Sequence, residues 1–109
     1  MKSEIMKPEE FISNIKTEID SLVSLYSEGK TGQTDIGIRL EELGLEDDQK
    51  EIVLLLIKQA IQESTYNLVC ALEGAASLAG SQETYKITDE SGNVLSGELD
   101  DLFYEQVME

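Results

Sequence analysis

Carboxylates and phenols are the side chains that could do chemistry in this 109-residue chain, because it has no histidine and only one cysteine. Twenty-three Asp and Glu residues outnumber eight Lys and Arg residues, which gives a formal net charge of −15. A magnitude of roughly 2–8 is enough to keep a small domain dispersed. The excess therefore favours binding to a positively charged partner and disfavours binding to nucleic acid or an anionic membrane.

Acidic clusters and two tyrosines are the candidate contact residues. Tyrosine suits this role because it combines a large apolar area with a polar tip. Acids at helix starts also favour the helix dipole, which is a second explanation for Asp47, Asp48, Glu98 and Asp100. The predicted partner-binding residues are Glu41, Glu42, Glu46, Asp47, Asp48, Tyr85, Asp89, Glu90, Glu98, Asp100, Asp101, Tyr104 and Glu105.

Metal binding and catalysis are disfavoured by the residue types present. One cysteine without histidine does not provide a tetrahedral zinc site. The segment that starts at Asp89 begins like a calcium loop, but Val94 and Asp100 occupy the positions that need glycine and glutamate. Cys70 lies among apolar neighbours and is predicted to be an inert core thiol. We expect no metal, no cofactor and no enzymatic activity.

Direct nucleic-acid binding is also not expected. From Gln59 to Glu109, Lys86 is the only cation, against ten acids. This stretch has no basic stripe, and the chain has no glycine-rich loop of the type that holds phosphates.

The elements that must position these residues are mostly helical. Apolar residues at spacings of three and four predict a first helix over Phe11–Tyr26, with Pro8 in its first turn and Gly29 after its end. A short helix capped by Thr34 or Asp35 is predicted to end at Gly44. A long helix should follow from Asp47 to about Leu72, apolar on most sides and therefore buried by several neighbours.

The C-terminal part carries the pattern of a β-hairpin. β-Forming residues at 84–88, a turn cluster at 89–93 and a second extended run from Val94 predict two paired strands. A short final helix should include Leu99, Leu102 and Phe103. The predicted fold is α+β and mostly helical: an N-terminal helix, a long central helix, and a C-terminal β-hairpin followed by a short helix, in a single domain over residues 1–109.

The cysteine content and the hydropathy bear on location. One thiol does not form an internal disulfide, which favours a reducing compartment. The longest apolar run, residues 52–57, is far shorter than the roughly 20 residues that cross a bilayer. The N-terminal residues lack the apolar run of a signal peptide. The expected location is therefore the cytoplasm, without membrane attachment.

Residues 45–107 resemble a group of small acidic bacterial proteins. The resemblance lies in the acidic helix start at 47–51, in Asn67-Leu68-Val69 and Leu72-Glu73-Gly74, in Tyr85-Lys86-Ile87, and in the stretch from Gly92 to Phe103. Some of these proteins resemble immunity proteins of polymorphic-toxin systems. The resemblance implies an inhibitor of a basic protein, such as a nuclease toxin.

Three functions follow as hypotheses. The first is a binder that neutralises a basic protein by occlusion, with acidic clusters steering the encounter. The second is a nucleic-acid mimic, which would need carboxylates spaced like phosphates. The third is a self-associating structural module, such as a homodimer built on the hairpin edge or an apolar helix face.

Overall fold

The computed structural model describes residues 5–109, and the helices lie close to where the sequence pattern predicts them. Helix α1 spans Pro8–Ser27, α2 spans Asp35–Glu42, α3 spans Asp47–Leu72 and α4 spans Leu99–Phe103. A 3-10 turn at Gly29–Gly32 follows α1, and a π-helical turn at Tyr104–Met108 continues α4. The predicted first, short, long and final helices are therefore confirmed.

Local capping explains where the short helix begins. The Thr34 side chain accepts a hydrogen bond from the Gly37 backbone N–H at 2.9 Å, which satisfies one of the free donors at the start of α2. Gly44, with φ of +64°, lies two residues after the end of this helix. Both ends of α2 are therefore set by residues that the sequence displays.

The predicted β-hairpin is wrong, and with it the α+β class: residues 5–109 contain no β-strand. Isolated bridges pair Thr88 with Val94 and Leu78 with Ser81, and neither extends into a ladder. The physical reason is that neighbouring backbone donors find other acceptors. Tyr85 N–H donates to the Leu72 carbonyl at the end of α3, and Ile87 N–H donates to the Ser96 hydroxyl. The turn forms, but the strands that it should join do not.

The chain divides into two compact units. The terminal unit comprises residues up to Lys16 together with Glu63–Glu109, and the central unit comprises Thr17–Gln62. Helices α1 and α3 each contribute residues to both units. The expectation of one domain over 1–109 remains a prediction.

The terminal unit contains most of the buried apolar side chains of the described residues. They come from the start of α1, the end of α3, the loop after it and α4. The buried residues are Ile12, Val69, Ala71, Leu95, Leu99 and Phe103. Gln106 Nε2 also donates to the Glu9 carbonyl at 3.1 Å, which ties the π-helical turn to the first turn of α1.

In the central unit, α1 and α3 run antiparallel. Lys58 Nζ lies 3.3 Å from Asp20 Oδ1, and Lys50 Nζ donates to the Ser27 carbonyl at 2.7 Å. The residue numbers rise along one helix as they fall along the other, which fixes this orientation. Ile19 and Leu40 are the buried large apolar side chains of this unit.

The expectation that α3 is buried on most sides is wrong for its first half. Ile52, Leu55 and Leu56 are 59%, 55% and 58% exposed. The described part of the chain packs against the opposite side of this helix and leaves these residues in solvent.

None of the helices in residues 5–109 combines the length and apolarity needed to cross a membrane.

Candidate functional site

An acidic concavity of the terminal unit lies beside the last two turns of the chain. It is an open hollow of about 530 Å³, which we call the tyrosine–carboxylate pocket. Its lining combines four carboxylates with two phenol rings: Tyr66, Glu98, Asp101, Tyr104, Glu105 and Glu109. Its four carboxylates all come from the C-terminal stretch: Glu98 just before α4, Asp101 within α4, Glu105 in the π-helical turn and Glu109 just after it.

The two tyrosines that line this pocket belong to an aromatic cluster. The Tyr66 ring stacks on Phe103, with centroids 6.0 Å apart and planes inclined by 18°. The Tyr104 ring also contacts the Tyr66 ring, with centroids 5.9 Å apart and the two planes tilted. Offset and tilted aromatic pairs are favourable because ring edges are electropositive and ring faces are electronegative. Phe103 is fully buried and Tyr104 is half exposed, so the cluster extends from core to surface.

The surroundings of Tyr66 raise the pKa of its phenol. Its pKa is raised, first by the hydrogen bond to the Cys70 side chain one turn along α3, and then by partial burial. Electrostatic interactions with Cys70, Asp100 and Tyr104 raise the pKa of Tyr66 further. A phenol is neutral near pH 7 even at its ordinary pKa, so Tyr66 brings an electron-rich ring to the pocket without adding a further charge. Cys70 is free and half-buried, not fully buried as predicted.

Glu73 positions α4, and sequence reasoning did not identify it. Its Oε2 accepts hydrogen bonds from the Gly97 N–H at 2.7 Å and the Leu99 N–H at 2.8 Å. The residue at the ordinary capping position, Glu98, makes no side-chain cap. Glu73 therefore caps α4 from the end of α3, and this leaves the Glu98 carboxylate on the pocket wall.

Four predicted contact residues meet in the tyrosine–carboxylate pocket: Glu98, Asp101, Tyr104 and Glu105. Asp100 is half-buried beside them and acts on the pKa of Tyr66 without lining the pocket. Tyr66 and Glu109 were missed. The spacing of 98, 101, 105 and 109 along one helical face could have indicated Glu109, whereas nothing in the sequence brings Tyr66 to this place.

The predicted residues of the 85–93 segment lie elsewhere in the terminal unit. Asp89 Oδ1 accepts from the N–H groups of Ser91 and Asn93, and Oδ2 accepts from the Asn93 side chain at 2.9 Å. The Asn93 side-chain hydrogen bond is the main reason that the pKa of Asp89 is lowered. Both carboxylate oxygens are thus used inside the turn. Glu90 is exposed, and Tyr85 is half-buried.

The predicted acids of residues 41–48 lie in the central unit. Glu41 Oε1 accepts from the Lys30 N–H at 2.9 Å, and Asp48 Oδ1 accepts from the Gln49 N–H at 2.9 Å. Glu41 and Asp47 border a small cavity of about 190 Å³. Glu42 and Glu46 are exposed. Glu41 thus serves the local fold, because it satisfies a donor of the 3-10 turn.

Within the part of the chain that the structure describes, no group of three or more histidine, cysteine or acidic side chains is arranged to hold a metal ion. The tyrosine–carboxylate pocket offers hydrogen-bond acceptors and aromatic faces. Carboxylates accept hydrogen bonds from guanidinium and ammonium groups, and tyrosine faces attract the same cations. The chemistry of the pocket therefore suits Lys and Arg side chains.

No protein-family model matches this chain, and no curated protein and no solved structure is detectably similar to it.

Proposed function

We propose that this chain binds a basic protein and blocks it by occlusion, with the tyrosine–carboxylate pocket as the principal contact. The observation that carries the proposal is the convergence of four carboxylates and two tyrosines around one open hollow of about 530 Å³. A Lys or Arg side chain entering this hollow would meet carboxylate acceptors beside ring faces, and such contacts are typical of the residues that dominate binding energy at interfaces.

The charge of the chain supports the same proposal. The pocket lies in a stretch with ten acids and one lysine, and the whole chain carries −15. The negative electrostatic potential of such a chain speeds the encounter with a cationic partner and repels anionic competitors. The sequence of residues 45–107 resembles small acidic bacterial proteins, some of which resemble immunity proteins, and on that basis we propose a basic nuclease toxin, met in the cytoplasm of the producing cell, as the partner class.

The test is affinity capture from the native host, followed by elution with a salt gradient. We expect one basic protein to be retained and then released as salt screens the contact. The triple variant E98Q/D101N/E105Q should lose this protein. The control E10Q/E18Q/E83Q changes the charge by the same amount at exposed positions that do not line the pocket and should retain this protein.

Two results would contradict the proposal. Equal loss of binding in both triple variants would mean that overall charge, not the pocket, holds the partner. Retention of several unrelated DNA-binding proteins, each displaced by added DNA, would favour the nucleic-acid mimic. If the captured protein is a nuclease, stoichiometric addition of the chain should abolish its activity.

The nucleic-acid mimic is less well supported by the pocket. Duplex DNA carries one charge per about 1.7 Å of its axis, in regular rows along both strands. The four carboxylates of the pocket instead line an open hollow together with two tyrosines, and they belong to a short α-helix, the π-helical turn after it and the residues at either end.

A further inference from the structure

The first half of α3 presents an apolar face to solvent within the central unit. Ile52, Leu55 and Leu56 follow the i, i+3, i+4 spacing, and each is more than half exposed. Gln59, one turn further on, is also exposed. Exposed Leu or Ile residues that occur singly need no explanation, but three on one face of a helix are typical of an interaction surface.

Acidic side chains border this face at its N-terminal end. Asp48 precedes Ile52 by one turn, and Glu51 lies beside it; both are exposed. The two lysines of the segment are engaged on the side of α3 that packs against α1. Lys58 lies 3.3 Å from Asp20, and Lys50 donates to the Ser27 carbonyl. The outward face is therefore apolar with an exclusively acidic border at this end.

This border favours a different, cationic protein over a second copy of the chain. In a parallel pair of α3 helices, Asp48 and Glu51 would meet the same acids of the other copy, and the lysines of this part of α3, Lys50 and Lys58, are engaged on its other side. In either orientation, each copy would carry a charge of −15 into the complex. Like charges brought together in this way cost free energy, so charge complementarity favours a cationic partner.

We propose that the apolar face of α3 binds an amphipathic helix of a partner protein, in which Lys or Arg residues flank a stripe of apolar residues. A helix fits because the side-chain ridges of one helix pack into the grooves between the ridges of another. The cations of the partner helix lie against Asp48 and Glu51 and fix its direction. The face extends over only about two turns, so binding belongs to the weak, salt-sensitive class of interactions.

The test uses synthetic fluorescent peptides and the full chain. The first peptide is helical, with leucines at i, i+3, i+4 and i+7 and lysines at one end. A scrambled peptide has the same composition without an apolar face, and a third has glutamates in place of lysines. Fluorescence anisotropy should give at least tenfold tighter binding for the first peptide than for either of the others.

Variants of the chain locate the binding surface. L55Q/L56Q should weaken binding of the first peptide at least tenfold, and it should fold because both leucines are already exposed and glutamine suits helices. The matched control is L68Q, which replaces a 47% exposed leucine on another side of α3 and should leave binding within twofold. Circular dichroism confirms that each variant is helical.

Three outcomes would overturn the inference. They are equal binding of the scrambled peptide, unchanged binding by L55Q/L56Q, and a dimer in sedimentation that this variant converts to monomer. The last would show that a second copy covers the face. The inference is independent of the tyrosine–carboxylate pocket, so E98Q/D101N/E105Q should still bind the first peptide within about threefold.

Discussion

Individual carboxylates in this chain serve two different purposes. Glu73, Glu41 and Asp89 accept hydrogen bonds from backbone N–H groups and hold turns or helix ends in place. Glu98 and Asp101 are exposed and line an open pocket. The number of acids in the sequence does not show which carboxylates hold the backbone and which line the pocket. That depends on which backbone N–H groups lie close to each carboxylate.

Asp89 makes the turn at residues 89–93 sensitive to acid. Its pKa is lowered from the usual 3.8, chiefly by the hydrogen bond from the Asn93 side chain. A carboxyl group with a lowered folded-state pKa stabilises the fold above the unfolded value and loses this contribution as the pH falls through the folded value. We expect the Ser91 and Asn93 amide resonances to shift as the pH is lowered below about 3.8, measured by NMR.

The D89N variant is the control for this prediction. Its amide oxygen still accepts hydrogen bonds from the two backbone N–H groups, but it does not titrate in this range. The two amide resonances should then be insensitive to pH between neutral and about 3. An unchanged titration in D89N would assign the shift to another acid, such as Glu90.

Glu73 should contribute measurably to stability because it caps α4. E73A leaves the N–H groups of Gly97 and Leu99 without their acceptor, and we expect a loss of about 1–2 kcal/mol in the free energy of unfolding. E73Q retains one acceptor oxygen and should lose less. Urea unfolding followed by circular dichroism measures both variants. E83A, at an exposed position, should change stability by less than about 0.5 kcal/mol.

At the level of secondary structure, helices and strands differed in how far the sequence determined them. Pro8, Thr34 and the acids at Asp47 and Asp48 are start signals read along the chain, and α1, α2 and α3 begin as they predict. The β-forming run at 84–88 also has a clear local pattern. A strand, however, needs a partner whose backbone is free, and here the Leu72 carbonyl and the Ser96 hydroxyl bind its donors instead.

Helix α2 depends on a close approach that only glycine permits. A Cβ at Gly37 would lie 2.7 Å from Thr34 Oγ1 and 2.9 Å from the Gly29 carbonyl. Alanine has the higher helix propensity, worth about 1 kcal/mol, yet the clash with backbone should outweigh it. We expect G37A to be about 1–2 kcal/mol less stable in urea unfolding. The control S21A, on the exposed side of α1, should be neutral or slightly stabilising; a stabilised G37A would contradict this account.

The candidate pocket was predictable only where its residues lie in one stretch of the sequence. Glu98, Asp101, Tyr104 and Glu105 are neighbours in the sequence, so their grouping could be expected. Tyr66 comes from α3, and its stacking on Phe103 depends on tertiary packing that no local pattern encodes. Similarly, the apolar run at 52–57 indicated burial, although its exposed side is visible only once the neighbours of α3 are known.

For the molecule as a whole, net charge sets the dependence of stability on salt. Raising NaCl from about 10 mM to about 150 mM shortens the screening length from about 30 Å to about 8 Å. Repulsion within a chain of −15 then falls, and we expect a gain of about 1 kcal/mol, or a rise in Tm of about 4–8 °C. Thermal melts followed by circular dichroism measure this. E10Q/E18Q/E83Q should show a smaller rise, and a Tm independent of salt would contradict the prediction.

The bridge that Glu73 makes to Gly97 and Leu99 has a consequence for evolutionary variation. It joins the two ends of the intervening segment, 24 and 26 residues apart along the chain, through a single carboxylate. Insertions or deletions near the exposed tip at Glu90 and Ser91 would therefore leave the start of α4 in place. Relatives of this chain could diversify that tip in length and composition while they keep the same final helix.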